Sequence, residues 1–295
     1  MRSVKDDGWR GFLFVLPNLI GFVVFTVLPI LFAMGISFTD WDFYKGFDGI
    51  KWVGLKNYLS LPGDMWFIDS LKNNLLYTVG TIPFILVGAL LVANALNAKL
   101  FGRKVVRTMI FMPYVVNTVA IAAVGMLLFN PSNGPINQVL RSLGIKDPPG
   151  WFSSLNWALQ GVMVLSIWQQ IGYDMIIYLA GLQSVPEELY ESATIDGANS
   201  FQKLLKITVP MLSPTTFFLL ITNIISSFQV FGLVNVLTKG GPGRSTTVLA
   251  YYIYRCAFRY NKMGLASAIA FVLFGLVLIV TLIQWRIQKK QTEIF

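Results

Sequence analysis

The chain has 295 residues, of which 55% are hydrophobic and only 13% charged, against about a quarter charged in an ordinary soluble domain. With a mean hydropathy of +0.63, a water-soluble sphere of this size would lack the polar surface to cover its core, so the composition indicates a polytopic membrane protein. The lack of histidine and the single cysteine, Cys256, exclude Ser-His-Asp and Cys-His triads, His-ligated zinc or haem, an internal disulfide and CxxC chemistry.

The net charge is +9, but the basic residues are scattered. Their densest cluster, Lys99, Arg103, Lys104 and Arg107, sits between two apolar runs, as a loop at a membrane surface does, and no nucleic-acid partner is expected. The run Gly240-Gly241-Pro242-Gly243-Arg244-Ser245 has neither the spacing nor the lysine of a phosphate loop. The chain is therefore expected to hold no nucleotide or other cofactor and no metal, and its energy must come from a partner or an ion gradient.

A crossing needs about 20 apolar residues, and six runs qualify: 11–36, 73–95, 109–129, 158–181, 209–234 and 263–285. The segments between them are too brief for a separate soluble domain, so 1–295 reads as a single all-α transmembrane domain. Arg2 and Lys5 precede the first run, but Asp6, Asp7 and the length of the run do not suit a signal peptide. It reads as an anchor kinked at Pro17 and Pro29. With the N-terminus inside, the inner segments carry 12 Lys and Arg in 60 residues and the outer ones 11 in 92. That density, and the basic loop 96–108 and tail 286–290 that abut span ends, favour cytoplasmic termini.

Polar residues within the spans are grouped. At 100° per residue on the fourth run, with Gln169 at zero, Tyr173, Ser166, Gln170 and Asp174 follow within one arc. On the fifth run Asn223, Ser226, Ser227 and Thr222 share another arc. Asn117 lies mid-way along the third. Hydroxyls and amides also cross-link packed helices, a reading that suits the serines, Thr222 and Asn117. Two amides, a phenol and a carboxylate on one arc exceed what packing needs, and Asp174, the sole ionisable residue in the six runs, is costly in lipid. Such a mix suits a wet cavity for sugars, where amides and carboxylates grip hydroxyls and aromatic faces stack on ring C–H groups.

Between the fourth and fifth runs, loop 184–210 begins Ser184-Val185-Pro186-Glu187-Glu188. Ser184 with Glu187 predicts a capping box, Pro186 suits the first turn, and the acidic pair lies at the positive end of the helix dipole. Gly197 is expected to end that helix in a left-handed turn. A second piece over Phe201 to Leu205 completes a helix-turn-helix with Leu189, Ile195, Phe201 and Leu204 as apolar knobs. By shape alone the loop could be a solvated connection.

Its residues say more. Glu191-Ser192-Ala193, three residues, Gly197, nine residues, then Ile207-Thr208-Val209-Pro210 resembles the EAA motif, EAA-x3-G-x9-I-x-L-P, of permease subunits of binding-protein-dependent ABC importers. Ser192 and Val209 depart mildly from it. Leu16-Pro17-Asn18, Leu28-Pro29, Trp52-Val53-Gly54-Leu55-Lys56-Asn57-Tyr58, Asp196-Gly197-Ala198 and Thr238-Lys239-Gly240-Gly241-Pro242-Gly243 are similar, in order and spacing, to the carbohydrate-uptake branch of maltose and glycerol-phosphate type. This resemblance implies a multi-pass protein of a bacterial or archaeal inner membrane. It implies a second homologous permease, two ATPase subunits holding ATP and Mg, an extracytoplasmic binding protein and a sugar as partners. It makes Glu187, Glu191, Ala193, Asp196, Gly197 and Ala198 the ATPase-coupling residues. It also points to a substrate path over Asn117, Gln169, Gln170, Tyr173, Asp174, Asn223, Ser226 and Ser227, with Tyr173 matching an aromatic of that family's site and Gln169, Gln170 and Ser227 not matching. Glycerol phosphate or another anionic polyol is the alternative cargo. An ion-coupled secondary transporter would show repeats and several intramembrane charges, which this sequence lacks.

Overall fold

The computed structural model describes residues 7–97 and 102–292; Arg2, Lys5 and Lys99 lie outside them. The first apolar run forms α1 (Asp7–Phe22) and α2 (Leu28–Ser37), joined by a π-helical turn over Val23–Val27. Pro29 falls in the first turn of α2, where its missing N–H costs little, and the widened turn before it accommodates the ring. A short ribbon follows, β1 (Thr39–Asp40) antiparallel to β2 (Lys51–Trp52), then α3 (Lys56–Ser60).

The second crossing is α4 (Met65–Asn97), 33 residues long. It starts eight residues before the apolar run because Asp69 and Lys72, which interrupt the apolar pattern, do not interrupt the helix. The third run, expected as one rod over 109–129, is instead two helices, α5 (Arg103–Val115) and α6 (Thr118–Leu128), bent by 101°. Pro113 weakens the end of α5, Val116 and Asn117 are both extended, and the Asn117 carboxamide oxygen caps α6 by accepting from Val119 N at 2.8 Å. After α7 (Pro135–Ser142) comes the fourth crossing, α8 (Ala158–Leu182).

The loop holds α9 (Glu187–Ile195) and α10 (Ser200–Lys203), and a π-helical turn over Leu204–Thr208 leads to α11 (Val209–Met211). The fifth crossing is α12 (Ser213–Phe228) with α13 (Gly232–Leu237), interrupted near Val230. The chain ends in α14 (Leu249–Phe258) and α15 (Met263–Thr292). Among the described residues, five helical stretches are long and apolar enough to cross a membrane, six with the bent pair, and the fold is all-α apart from the short β1–β2 ribbon.

Two compact units emerge. In the first, residues 7–64 and 253–274, the Asn57 amide donates to the carbonyls of Ser37 and Thr39, each at 2.9 Å, and Tyr58 donates to Ser37 Oγ at 2.7 Å. The Asn-Tyr pair singled out in the sequence thus fastens the end of the first crossing. In the second, residues 65–252 and 275–292, α4 packs along α8. Ala89, Ala93 and Leu96 meet Met175, Tyr178, Leu179 and Leu182, with Leu212 and Leu219 closing the core. Small residues one turn apart on α4 let the two helix backbones approach.

Candidate functional site

In the second unit a cleft of about 210 Å³ opens among α4, α8 and the α12–α13 break. Gln169 and Gln170 enter it from α8, and Asn223, Ser226 and Ser227 from α12. Five of the eight residues expected on the substrate path therefore line one space. Tyr77 and Thr81 of α4 complete the polar lining, with Ser166 of α8, while Thr118 and Phe231 contribute from α6 and the break. Neither Tyr77 nor Thr81 was singled out from the sequence. Asn74, Tyr77, Thr78 and Thr81 do recur at i, i+3, i+4 and i+7, which puts them on one helix face, so the signal was present on α4.

The wall is pinned from α4. Thr78 Oγ1 and Ser227 Oγ lie 2.8 Å apart, and Asn74 Nδ2 donates to the Ser227 carbonyl at 3.0 Å. The Leu249 N–H donates to Asn74 Oδ1 at 2.8 Å, so one buried amide joins α4, α12 and α14.

The other three expected residues lie outside the lining. Asp174 is 0% exposed; Gln170 Nε2 donates to its Oδ1 at 3.0 Å and Asn223 Nδ2 to its Oδ2 at 2.6 Å. The Tyr173 ring stacks on Tyr114 with centroids 4.7 Å apart. Asn117 is exposed and serves as the cap of α6. Chemically, the cleft offers carboxamides, hydroxyls and aromatic rings, with no lysine, arginine, aspartate or glutamate in its lining. Among the described residues, no group of three His, Cys, Asp or Glu could hold a metal.

The loop after α8 forms a second surface. The expected Ser184 capping box is absent: Ser184 Oγ donates back to the Gly181 carbonyl at 2.7 Å, and Pro186 occupies the N-cap without a side-chain bond. Ser184 sits two residues before that cap, still on the last turn leaving α8, so the upstream carbonyl satisfies it. The capping box occurs one helix later, where Asn199 Oδ1 accepts from Gln202 N and Gln202 Oε1 accepts from Asn199 N, each at 2.9 Å.

Gly197 does end α9, with φ +76°. The Ala198 N–H donates to Ala193 O at 2.9 Å and the Gly197 N–H to Thr194 O at 3.0 Å, the paired bonds of a left-handed helix stop. Lys203 Nζ donates to Thr194 Oγ1 at 2.6 Å, and Tyr190 Oη lies 3.0 Å from Thr208 Oγ1, so the two halves of the loop are braced together. Glu187 and Glu191 are exposed on α9. Ala193, Asp196, Gly197 and Ala198 line a groove of about 360 Å³ with Lys203 and Lys206. Beside it Ile195 and Phe201 are 87% and 66% exposed. Leu204 is half-buried, and its neighbour Leu205 is exposed in its place.

The chain is 33% identical to the arabinooligosaccharides transport system permease protein AraP of Bacillus subtilis (strain 168), over 97% of this chain and 93% of that one. It is 33% identical to the sn-glycerol-3-phosphate transport system permease protein UgpA of Agrobacterium fabrum, over 96% and 95%. A chain of the crystal structure of a bacterial alginate ABC transporter in complex with an alginate pentasaccharide-bound periplasmic protein superposes with a TM-score of 0.83 at 26% identity, over 98% of this chain and 96% of that one. Residues 85–293 match the family model described as the binding-protein-dependent transport system inner membrane component, and with relatives aligned along nearly its whole length the chain belongs to that family.

Proposed function

We propose that this chain is the permease subunit of an ABC importer that passes a sugar or oligosaccharide from an extracytoplasmic binding protein into the cytoplasm through the cleft of α4, α8 and α12. The observation that carries this reading is the cleft lining: amides, hydroxyls and aromatic rings on three crossing helices, without a fixed charge, in a chain of a binding-protein-dependent transport family. Neutral polyols are recognised by such groups.

In this reading a second homologous permease completes the pathway, and two ATPase subunits hold the ATP and Mg, since no phosphate loop is present in this sequence. The braced loop docks on one ATPase subunit, with Ile195 and Phe201 as its exposed apolar contacts, and the chain termini lie in the cytoplasm. Closure of the ATPases then rocks the two permeases between outward and inward access. The 33% identity to UgpA supports a second reading, glycerol phosphate as cargo. A phosphate calls for charge-assisted donors, and the cleft lining contains no lysine or arginine.

Uptake by the complete complex in vesicles separates these readings. Neutral labelled oligosaccharides, uronate oligosaccharides and glycerol 3-phosphate are each presented with the binding protein and ATP. ATP-dependent uptake of a neutral sugar is expected; uptake of glycerol 3-phosphate alone would select the second reading, and ATP turnover by the isolated chain would remove the assignment of nucleotide chemistry to partners.

A further inference from the structure

Asp174 has the surroundings of a part that works from behind the cleft wall. It is fully buried, both of its carboxyl oxygens are engaged by carboxamide nitrogens, and among the described residues no lysine or arginine forms an ion pair with it. Its two partners, Gln170 and Asn223, both line the cleft. A carboxamide beside a carboxylate must turn its NH2 to the acid, because its carbonyl oxygen facing an acceptor at 2.6 Å would have no proton to share. For Asn223 the consequence is complete. One N–H goes to Asp174 Oδ2 and the other to the Leu219 carbonyl at 2.8 Å, so no N–H remains. Oδ1 accepts no hydrogen bond among the described residues, and it is what Asn223 has left to offer.

We infer that Asp174 is a positioning residue that sets the hydrogen-bond polarity of the cleft: by accepting from Asn223 and Gln170 it makes Asn223 present an acceptor, and so selects a cargo that donates, a hydroxyl rather than a phosphate or carboxylate oxygen. The selectivity rests on the sugar-importer reading, whereas the place of Asp174 behind the wall does not. A direct substrate contact would require a carboxyl oxygen open to the cleft, and Asp174 is 0% exposed and absent from the lining.

Two measurements on the full complex test this. In a Cys256→Ser background, Gln170→Cys and Ser226→Cys should react with a small water-soluble thiol reagent while Asp174→Cys stays at least about tenfold slower. This arm needs no cargo, and equal rates would overturn the placement. Asp174→Asn keeps size but brings its own NH2 to the junction, so one neighbouring amide must turn and direct N–H groups into the cleft. For the neutral oligosaccharide taken up fastest by the wild type, KM should rise about tenfold with kcat changed less, and preference over its uronate counterpart should narrow. A fall in kcat with KM and preference unchanged would mean a packing role and overturn the inference. Failure of both Asp174 variants to assemble would do the same. If no sugar is imported by the wild type, the carbohydrate reading fails while the labelling result still decides where Asp174 lies.

Discussion

A Cβ placed on Gly172 would come within 2.2 Å of the Ile110 carbonyl oxygen and 2.8 Å of the Phe111 Cα. The obstacle is backbone on α5, which cannot rotate away as a side chain can, so α8 and α5 are in register only while residue 172 is glycine. Gly172→Ala is expected to cost about 1–3 kcal/mol by overpacking and to lower the melting temperature of the purified protein. Gly275→Ala on α15, where nothing lies within 4 Å, should be neutral or slightly stabilising. Equal melting temperatures for the two variants would contradict the close approach.

Asn74 is expected to be a stability hot spot. Asn74→Ala removes the donor to Ser227 O and the acceptor of Leu249 N–H, leaving two buried backbone groups unpaired at roughly 1–3 kcal/mol each. Asn74→Asp keeps the acceptor but sets a carboxylate oxygen against the Ser227 carbonyl in a fully buried site, so it should not recover the loss. Thermal unfolding of the two variants measures this, with both below the wild type.

Cleft access should follow position around α8. With Cys256 replaced, cysteines at Gln169 and Gln170 are expected to label from water and to be protected by an imported sugar, whereas Leu165→Cys, almost fully buried, stays silent. Gln170→Ala should lower uptake about tenfold through a lost hydrogen bond while the complex still assembles. Uniform labelling around α8 would return these residues to helix packing.

The loop is expected to couple through its turn. Open space surrounds Gly197, so Gly197→Val meets no clash, only the positive φ, which disfavours a side chain by roughly 1–2 kcal/mol. The helix stop should loosen, with ATP-driven transport falling while membrane insertion persists. Gly197→Asn, better tolerated in left-handed turns, should retain more transport than valine.

The apolar runs were legible in the sequence because the bilayer imposes their length. The break of the third was not, since Pro113 and Asn117 sit in a run whose hydropathy continues on both sides, and only the Asn117 cap shows why the chain turns. The helical wheel brought Gln169 and Gln170 to the cleft. It also grouped Tyr173 and Asp174 with them, because an angle around an axis carries no height. Four residues on, at about 1.5 Å per residue, these side chains lie some 6 Å further along α8, where the Tyr114 ring and the two amides take them up. In the loop the Ser184–Glu187 signature misled, because Ser184 still lies on the last turn of α8 and bonds back to the Gly181 carbonyl.

Continuous α4 meets the cleft at one end, where Asn74 and Thr78 hold Ser227. At the other, Ala93 and Leu96 pack in the cluster that includes Leu182, Val185 and Tyr190 at the root of the loop. Asn74 and Ala93 are separated by about 28 Å of helix. Such a rod is a lever with both arms loaded: a swing of roughly 5° about its lower end carries the upper one some 2–3 Å, comparable to the length of the hydrogen bonds that shape the cleft.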